Sequence, residues 1–310
     1  MQTLINGYDI SRCMLCPRAC GADRTRTEGF CGGGSEIRAA RSALHHWEEP
    51  CISGTRGSGT IFFSGCSLRC CFCQNASIST GRFGASLSIS QLAECMLHLQ
   101  EQGAHNINLV TGSHYTPWII EAIHSIRDKL HIPLVWNSSG YESSETLSQL
   151  DGMVDIYLPD FKYLHKETSK GYAQAEDYPE IAKAALREML RQAGTPVFNA
   201  DGILQKGLIV RHLVLPGHRH ESMALLDTLS ELLPKEAFLL SLMGQYTPPE
   251  MRLPYKNLNR RLTTMEYRSV LRHAQELGFD GFSQDLSSAQ SQYTPNFNLE
   301  GIPNDTDNNQ

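Results

Sequence analysis

Three cysteines, Cys66, Cys70 and Cys73, stand in a C-x3-C-x2-C pattern within Ser64-Gly65-Cys66-Ser67-Leu68-Arg69-Cys70-Cys71-Phe72-Cys73-Gln74-Asn75. That span is short enough for one tight loop to present all three thiolates to one metal centre. A cubane [4Fe–4S] cluster normally takes four cysteine ligands. Three from one loop leave one iron without a protein ligand, and an open position on a metal is where a small molecule binds and reacts. Zinc sites usually pair their ligands as two separated C-x2-C knuckles, which this pattern does not. Cys71 introduces alternative triplets, because C-C-x-C can be read in more than one way.

A second group lies upstream. Cys13, Cys16 and Cys20 are followed by Cys31 in Gly29-Phe30-Cys31-Gly32-Gly33-Gly34. Four thiols match the number a closed metal site needs, and the glycines let the backbone wrap round sulfur and donate N–H groups to it. The metal is either zinc or an auxiliary iron–sulfur cluster. In Leu44-His45-His46-Trp47-Glu48-Glu49-Pro50-Cys51, the residues His45, His46, Glu48 and Glu49 are of types that serve as ligands or bases, but a satisfied linker face is the expected setting for each. Cys51 has no assignment. Cys95 falls in an apolar helical pattern and reads as a small buried hydrophobe.

Composition narrows the class. The 310 residues suffice for one large α/β domain and a small appendage, and 41% hydrophobic content supports an ordinary globular core. A net charge of −6 without a basic stripe argues against nucleic acid as a partner. No apolar run reaches the roughly 20 residues a membrane helix requires, so no membrane partner is expected. The start, Met1-Gln2-Thr3-Leu4-Ile5-Asn6-Gly7, lacks the cationic and apolar regions of a secretory signal. A cytoplasmic location follows as an expectation, with the ten cysteines as metal ligands rather than disulfides.

The elements that must carry these residues alternate. Expected strands cover 60–64, 106–111, 132–137, 154–158, 207–215 and 238–243. Expected helices include one capped by Ser90, and others over 118–130 with Pro117 at its start, 145–150, 180–192 ended by Gly194, 221–233, and 264–277 before Gly278. Six strands alternating with helices predict an α/β fold: a parallel sheet curled into a partial (β/α)6 barrel by right-handed crossovers. The expected organisation is a cysteine-rich segment over 1–55, the barrel over 56–285, and a polar, mobile tail over 286–310.

In parallel α/β folds chemistry sits at the C-terminal ends of the strands. After the first strand comes the cysteine loop, and after the second Thr111-Gly112-Ser113-His114. Then follow Asn137-Ser138-Ser139-Gly140-Tyr141, Pro159-Asp160-Phe161-Lys162-Tyr163, Arg211-His212 with Leu215-Pro216-Gly217-His218, and Met243-Gly244-Gln245-Tyr246. Gln245 and Tyr246 either line the substrate end or close it. No Ser-His-Asp order, phosphate loop or H-E-x-x-H motif competes.

The C-x3-C-x2-C triplet after a short apolar run resembles the signature of the radical S-adenosylmethionine (SAM) superfamily. The resemblance implies that Cys66, Cys70 and Cys73 hold a [4Fe–4S] cluster whose open iron chelates SAM. It further implies reductive SAM cleavage to a 5′-deoxyadenosyl radical, which abstracts a hydrogen atom. In this family a Gly-Gly-Glu-type turn contacts the SAM amino group; here only Gly112 matches, with Ser113 and His114 as the available polar groups. Asn137 and Ser139 resemble the Asp-Thr-Asn-Gly turn of glycyl-radical-enzyme activases, and Asp160 with Lys162 their Asp-x-Lys motif in the SAM environment. Arg211 resembles the arginine of their Arg-x-x-x-x-Pro-Gly stretch and either meets the SAM carboxylate or makes a structural ion pair. Taken with Cys-x-x-Cys-Pro-Arg-x-Cys-Gly and His-x-Trp-Glu-Glu-Pro, the chain resembles the PflX-like proteins, homologues of pyruvate formate-lyase activating enzyme. The implied partners are a one-electron donor of flavodoxin or ferredoxin type and a glycyl-radical protein. The alternatives are a radical SAM enzyme acting on another peptide or small molecule, and a non-catalytic metal-binding protein.

Overall fold

The computed structural model describes residues 4–284 and 295–303. A short antiparallel hairpin, β1 (Leu4–Ile5) and β2 (Tyr8–Asp9), opens the chain. The main sheet contains β3 (Ile37–His45), β4 (Ser58–Phe63), β5 (Ala85–Leu87), β6 (Ile107–Val110), β7 (Leu134–Ser138) and β8 (Ile156–Pro159). It continues with β9 (Val197–Phe198), β10 (Leu204–Leu213), β11 (Leu239–Met243) and β12 (Gly281–Ser283). The order is β12-β11-β10-β8-β7-β6-β4-β3-β5, with β9 folded back on β10. From β4 to β12 the path is parallel, while β3 and β5 join antiparallel at one edge. The predicted strands are all in this parallel run. β3, inside the cysteine-rich segment, and β5, β9 and β12 are additions.

The period of two along each strand builds two apolar layers. Leu134, Trp136, Tyr157, Leu208 and Val210 face the helices, in one cluster with Leu92, Ile119 and Leu186. Val135, Ile156, Leu158 and Ile209 face inward, where they meet Cys51 and Ile52 of a one-turn helix, Pro50–Ser53. That turn plugs the concave side of the sheet. It settles Cys51 as a packing residue, 5% exposed, and draws the preceding Glu48 and Glu49 inside with it.

The helices largely follow their expected spans: Thr116–Ser125, Ser144–Ser148, Tyr178–Ala193, Arg219–Leu232 and Thr264–Glu276, plus Lys166–Ala173, which was not anticipated. Helix Ile89–Glu101 begins two residues earlier than predicted. Its cap is Ser88, not Ser90, because Gln91 completes a reciprocal capping box with Ser88. Part of the polar tail departs from expectation. Residues 295–303 are docked on β3: Ser42 N–H donates to Glu300 O, Leu299 N–H donates to Ala40 O, and Phe297 packs edge-on against Phe62. Two apolar side chains, Phe297 and Ile302, outweigh the polar composition there. The rest of the expected tail, 286–294 and 304–310, lies outside the described residues, as does residue 285 at the end of the expected barrel.

Candidate active site

At the C-terminal ends of the parallel strands lies a cavity of about 260 Å³. Cys66, Cys70 and Cys73 line it and Cys71 does not. The loop is anchored in the helix-facing core. Leu68 and Phe72 are buried between the cysteines, and Cys71 N–H donates to Tyr172 O. Gly65 turns the chain out of β4 at φ +93°, where a methyl would stand 2.6 Å from the Cys31 carbonyl oxygen. Arg69 takes a left-handed conformation at φ +53° to bring Cys70 back to the wall.

Each sulfur on this wall has a hydrogen-bond donor. Leu68 N–H faces Cys66 Sγ at 3.4 Å, Tyr163 OH faces Cys70 Sγ at 3.3 Å, and Ser79 OH faces Cys73 Sγ at 3.4 Å. Burial pushes the Cys70 thiol up to about 12, while Lys162 and Tyr163 act against the rise. Such donors lower the cost of thiolate charge and tune a bound cluster. Among the described residues no fourth cysteine lines the cavity. This set of three soft ligands with an open side fits a cubane that keeps one iron free.

Beside the cysteines runs a chain of alternating charges. Lys162 Nζ lies 2.6 Å from Asp160 Oδ2, Arg211 Nε 3.4 Å from Asp160 Oδ1, and Arg211 Nη1 3.2 Å from Glu48 Oε2. Asn137 donates to Glu48 Oε1 at 3.3 Å and accepts from Arg211 Nη2; Asn108 donates to the same Glu48 oxygen at 3.0 Å. A backbone bridge between Asp160 and Arg211 sets the two side chains next to each other. Burial alone would raise Asp160, but Lys162 and Arg211 outweigh it and hold its pKa below the usual value. Burial would lower Lys162, but Asp160 keeps it raised. Glu48 is raised by burial, with Arg211 opposing. Gly140, at φ +74°, lets the Asn137–Tyr141 turn pack directly on the Asp160 carbonyl, with Ser139 on the cavity wall.

Of the sequence candidates, Asn137, Ser139, Asp160, Lys162 and Arg211 thus share the cavity with the cysteines. Gly112, Ser113 and His114 do not. A 3-10 turn over Ser113–Tyr115 carries them down into the core. A methyl on Gly112 would meet Ile119 at 2.7 Å, Ser113 OH donates to buried Glu142 at 2.6 Å, and His114 Nε2 sits 2.8 Å from Ser64 O. Burial pushes the His114 imidazole down to about 3, so it braces the cysteine loop as a neutral ring. At this strand end the cavity is lined by Thr111 instead. Its φ of +60° is strained for a β-branched residue, a cost of about 1–3 kcal/mol.

Sequence reasoning also set Glu48 aside as a linker residue, since nothing local signals that Pro50 will drive it inward. Gln245 lines the cavity, whereas Tyr246 is buried with its OH donating to Leu258 O, closing the end rather than lining it. His218 is tied to Tyr172 and Glu221, away from the cavity lining. Cys13, Cys16 and Cys31 are buried and Cys20 is exposed, outside the cavity, and Cys95 is buried as expected. Among the described residues no three His, Cys, Asp or Glu side chains close on one point as a single bound ion requires. No described helix is long and apolar enough to cross a membrane.

Residues 60–229 match the radical SAM superfamily. The uncharacterized protein MJ0674 of Methanocaldococcus jannaschii is 30% identical over 278 residues, which cover 86% of this chain and 75% of that protein. The crystal structure of a radical SAM methyltransferase from Sphaerobacter thermophilus is similar with a TM-score of 0.49 and 15% identity, covering 75% of this chain and 69% of that one. The chain belongs to the radical SAM superfamily, whose domain implies a [4Fe–4S] cluster and S-adenosylmethionine.

Proposed function

We propose that this radical SAM protein is an activase of the PflX-like kind, taking a hydrogen atom from a glycine of a partner enzyme. The observation that carries the reading is one cavity lined by Cys66, Cys70, Cys73, the Asn137–Ser139 turn and the Asp160–Lys162 pair. In this reading the three cysteines hold the cluster. When bound there, the cluster with SAM would supply one-electron reductive cleavage and hydrogen-atom abstraction from a substrate C–H bond.

The protein binds, orients and excludes water. Asn137, Ser139 and Asp160 offer amide, hydroxyl and carboxylate groups to the polar parts of SAM. Lys162 keeps a positive charge near Cys70 and Cys73. Arg211 is already engaged by Glu48, Asp160 and Asn137, so its part is to fix those groups rather than to reach out for a carboxylate. The electron comes from a flavodoxin- or ferredoxin-type donor.

The test is anaerobic. The chain is reconstituted with iron and sulfide, reduced with dithionite and given SAM, and 5′-deoxyadenosine is measured by mass spectrometry. Cys66→Ala, Cys70→Ala and Cys73→Ala should each abolish the product, and Cys71→Ala should not. Normal turnover in the first three would overturn the cluster assignment. A glycyl-radical EPR signal on adding a glycyl-radical enzyme supports the activase role; turnover without one across such partners assigns another substrate.

A further inference from the structure

We propose that Cys13, Cys16, Cys20 and Cys31 bind a second thiophilic metal centre that holds the catalytic loop in place. A zinc ion and an iron–sulfur cluster share this tetrathiolate chemistry.

The thiols share one nest. A methyl on Gly29 would stand 3.5 Å from both Cys20 Sγ and Cys31 Sγ. The Cys13 thiol is close enough to help lower that of Cys20, and Cys31, Cys13 and Cys20 all act to raise that of Cys16. The backbone turns left-handed at Ala19, Gly21 and Gly32, next to Cys20 and Cys31 in sequence. Donors stand at the nest: Gly33 N–H faces Cys31 Sγ at 3.3 Å, and the backbone N–H groups of Arg18 and of Phe30 and Ala22 favour the charged forms of Cys16 and Cys20 respectively. All four cysteines are free thiols. Four neutral thiols have little use for this many donors, whereas metal-bound thiolates need them.

A second observation points to negative charge. Arg24 is 1% exposed, and its Nη2 has no hydrogen-bond partner. Its guanidinium packs 4.5 Å from the Trp118 ring and donates to the carbonyls of Gly34 and His114. It stands beside Gly33 and acts electrostatically on Cys31, yet no ion pair joins it to a carboxylate among the described residues. A buried, unpaired cation is costly. A tetrathiolate centre carries net negative charge and supplies the missing counterion. The sulfurs do not yet close on one ion, so loading must draw them together.

The nest is joined to the catalytic loop by its backbone. Cys66 N–H donates to Cys31 O at 3.0 Å, and Arg18 Nε donates to Ser67 O at 2.9 Å. Metal in the nest therefore fixes the carbonyl against which Gly65 and Cys66 are set. Only this consequence rests on reading Cys66, Cys70 and Cys73 as the catalytic cluster; metal binding by the nest does not.

The test counts zinc, iron and sulfide in the full chain carrying Cys66→Ala, Cys70→Ala and Cys73→Ala together, after anaerobic reconstitution. One zinc, or about four irons with sulfide, retained there supports the proposal and names the metal. No retained metal overturns it. In the wild-type holoprotein, alkylation mapped by mass spectrometry provides a readout that needs no variant. Cys13, Cys16, Cys20 and Cys31 should be protected and become reactive on chelation; equal reactivity before and after overturns the site. Cys13→Ser with Cys16→Ser should lose the second metal and reduce iron loading of the catalytic loop. Unchanged loading there would overturn the positioning role, while 5′-deoxyadenosine formation by the wild type reports on the catalytic reading separately.

Discussion

Replacing Asp160 by asparagine probes the charge chain at its centre. Asp160 lies between Lys162 at 2.6 Å and Arg211 at 3.4 Å, with all three side chains at most 20% exposed. At an effective dielectric constant of about 20 these contacts amount to roughly 6 and 5 kcal/mol of gross attraction. Most of that is offset by desolvation, so the measurable quantity is the cost of stranding the partners. Arg211 keeps Glu48 at 3.2 Å, but Lys162 loses its carboxylate while remaining buried. Breaking one side of a buried pair costs about 3–5 kcal/mol, a large part of the roughly 5–15 kcal/mol that stabilises a native protein. Anaerobic urea unfolding should show this loss, and Asp160→Asn with Lys162→Met should recover about half of it by removing the stranded charge.

The pH dependence gives the sign a second check. Asp160 is held below its ordinary value of 3.8. Its contribution is therefore complete above 3.8 and is lost as pH falls through the lower folded-state value. The difference between wild type and Asp160→Asn should be flat at neutral pH and shrink in acid. A loss under about 1 kcal/mol with no recovery in the double variant would refute the reasoning that the chain is a coupled buried network.

Other perturbations separate local causes. Gly65→Ala adds both left-handed strain, about 1–2 kcal/mol, and a collision with Cys31 O, whereas Gly103→Ala, at φ +85° with nothing within 4 Å, adds strain alone. Thermal melts should fall further for the first, and iron content should fall only there; equal effects would remove the close-approach argument. Glu142→Gln tests a carboxyl raised by burial, with Ser113, Ser138 and Trp136 opposing. Its favourable contribution is present below 4.5 and lost as pH rises through the folded-state value, so wild-type stability should decline relative to the variant over that range. A constant difference from pH 4 to 8 would contradict this. Tyr163→Phe removes the 3.3 Å donor to Cys70 Sγ. The reconstituted protein should keep its iron but show a more negative cluster potential, since a hydrogen bond to sulfur favours the reduced state; an unchanged potential would show that this contact does not tune the metal.

The six central parallel strands, the cysteine triplet and the strand-end motifs were legible along the chain, because each rests on neighbours in sequence. A buried parallel strand is an apolar run, a loop ligand set is a spacing, and a strand's end is where polar residues resume. Thus Asn137, Ser139, Asp160, Lys162 and Arg211 were found and do line the cavity with Cys66, Cys70 and Cys73. Tertiary structure decided the rest. Ser113 and His114 had the right chemistry at the right strand end, yet Glu142 and Ser64 O claimed them from elsewhere in the chain. Glu48 had the look of a linker residue until the Pro50–Ser53 turn plugged the sheet and left it between Arg211, Asn137 and Asn108. Phe297 and Ile302 turned part of a polar tail into a packed segment on β3. Local pattern specifies which residues are available to a site. Which of them face it is decided by desolvation and by competition for partners, and both act between residues that are distant in sequence.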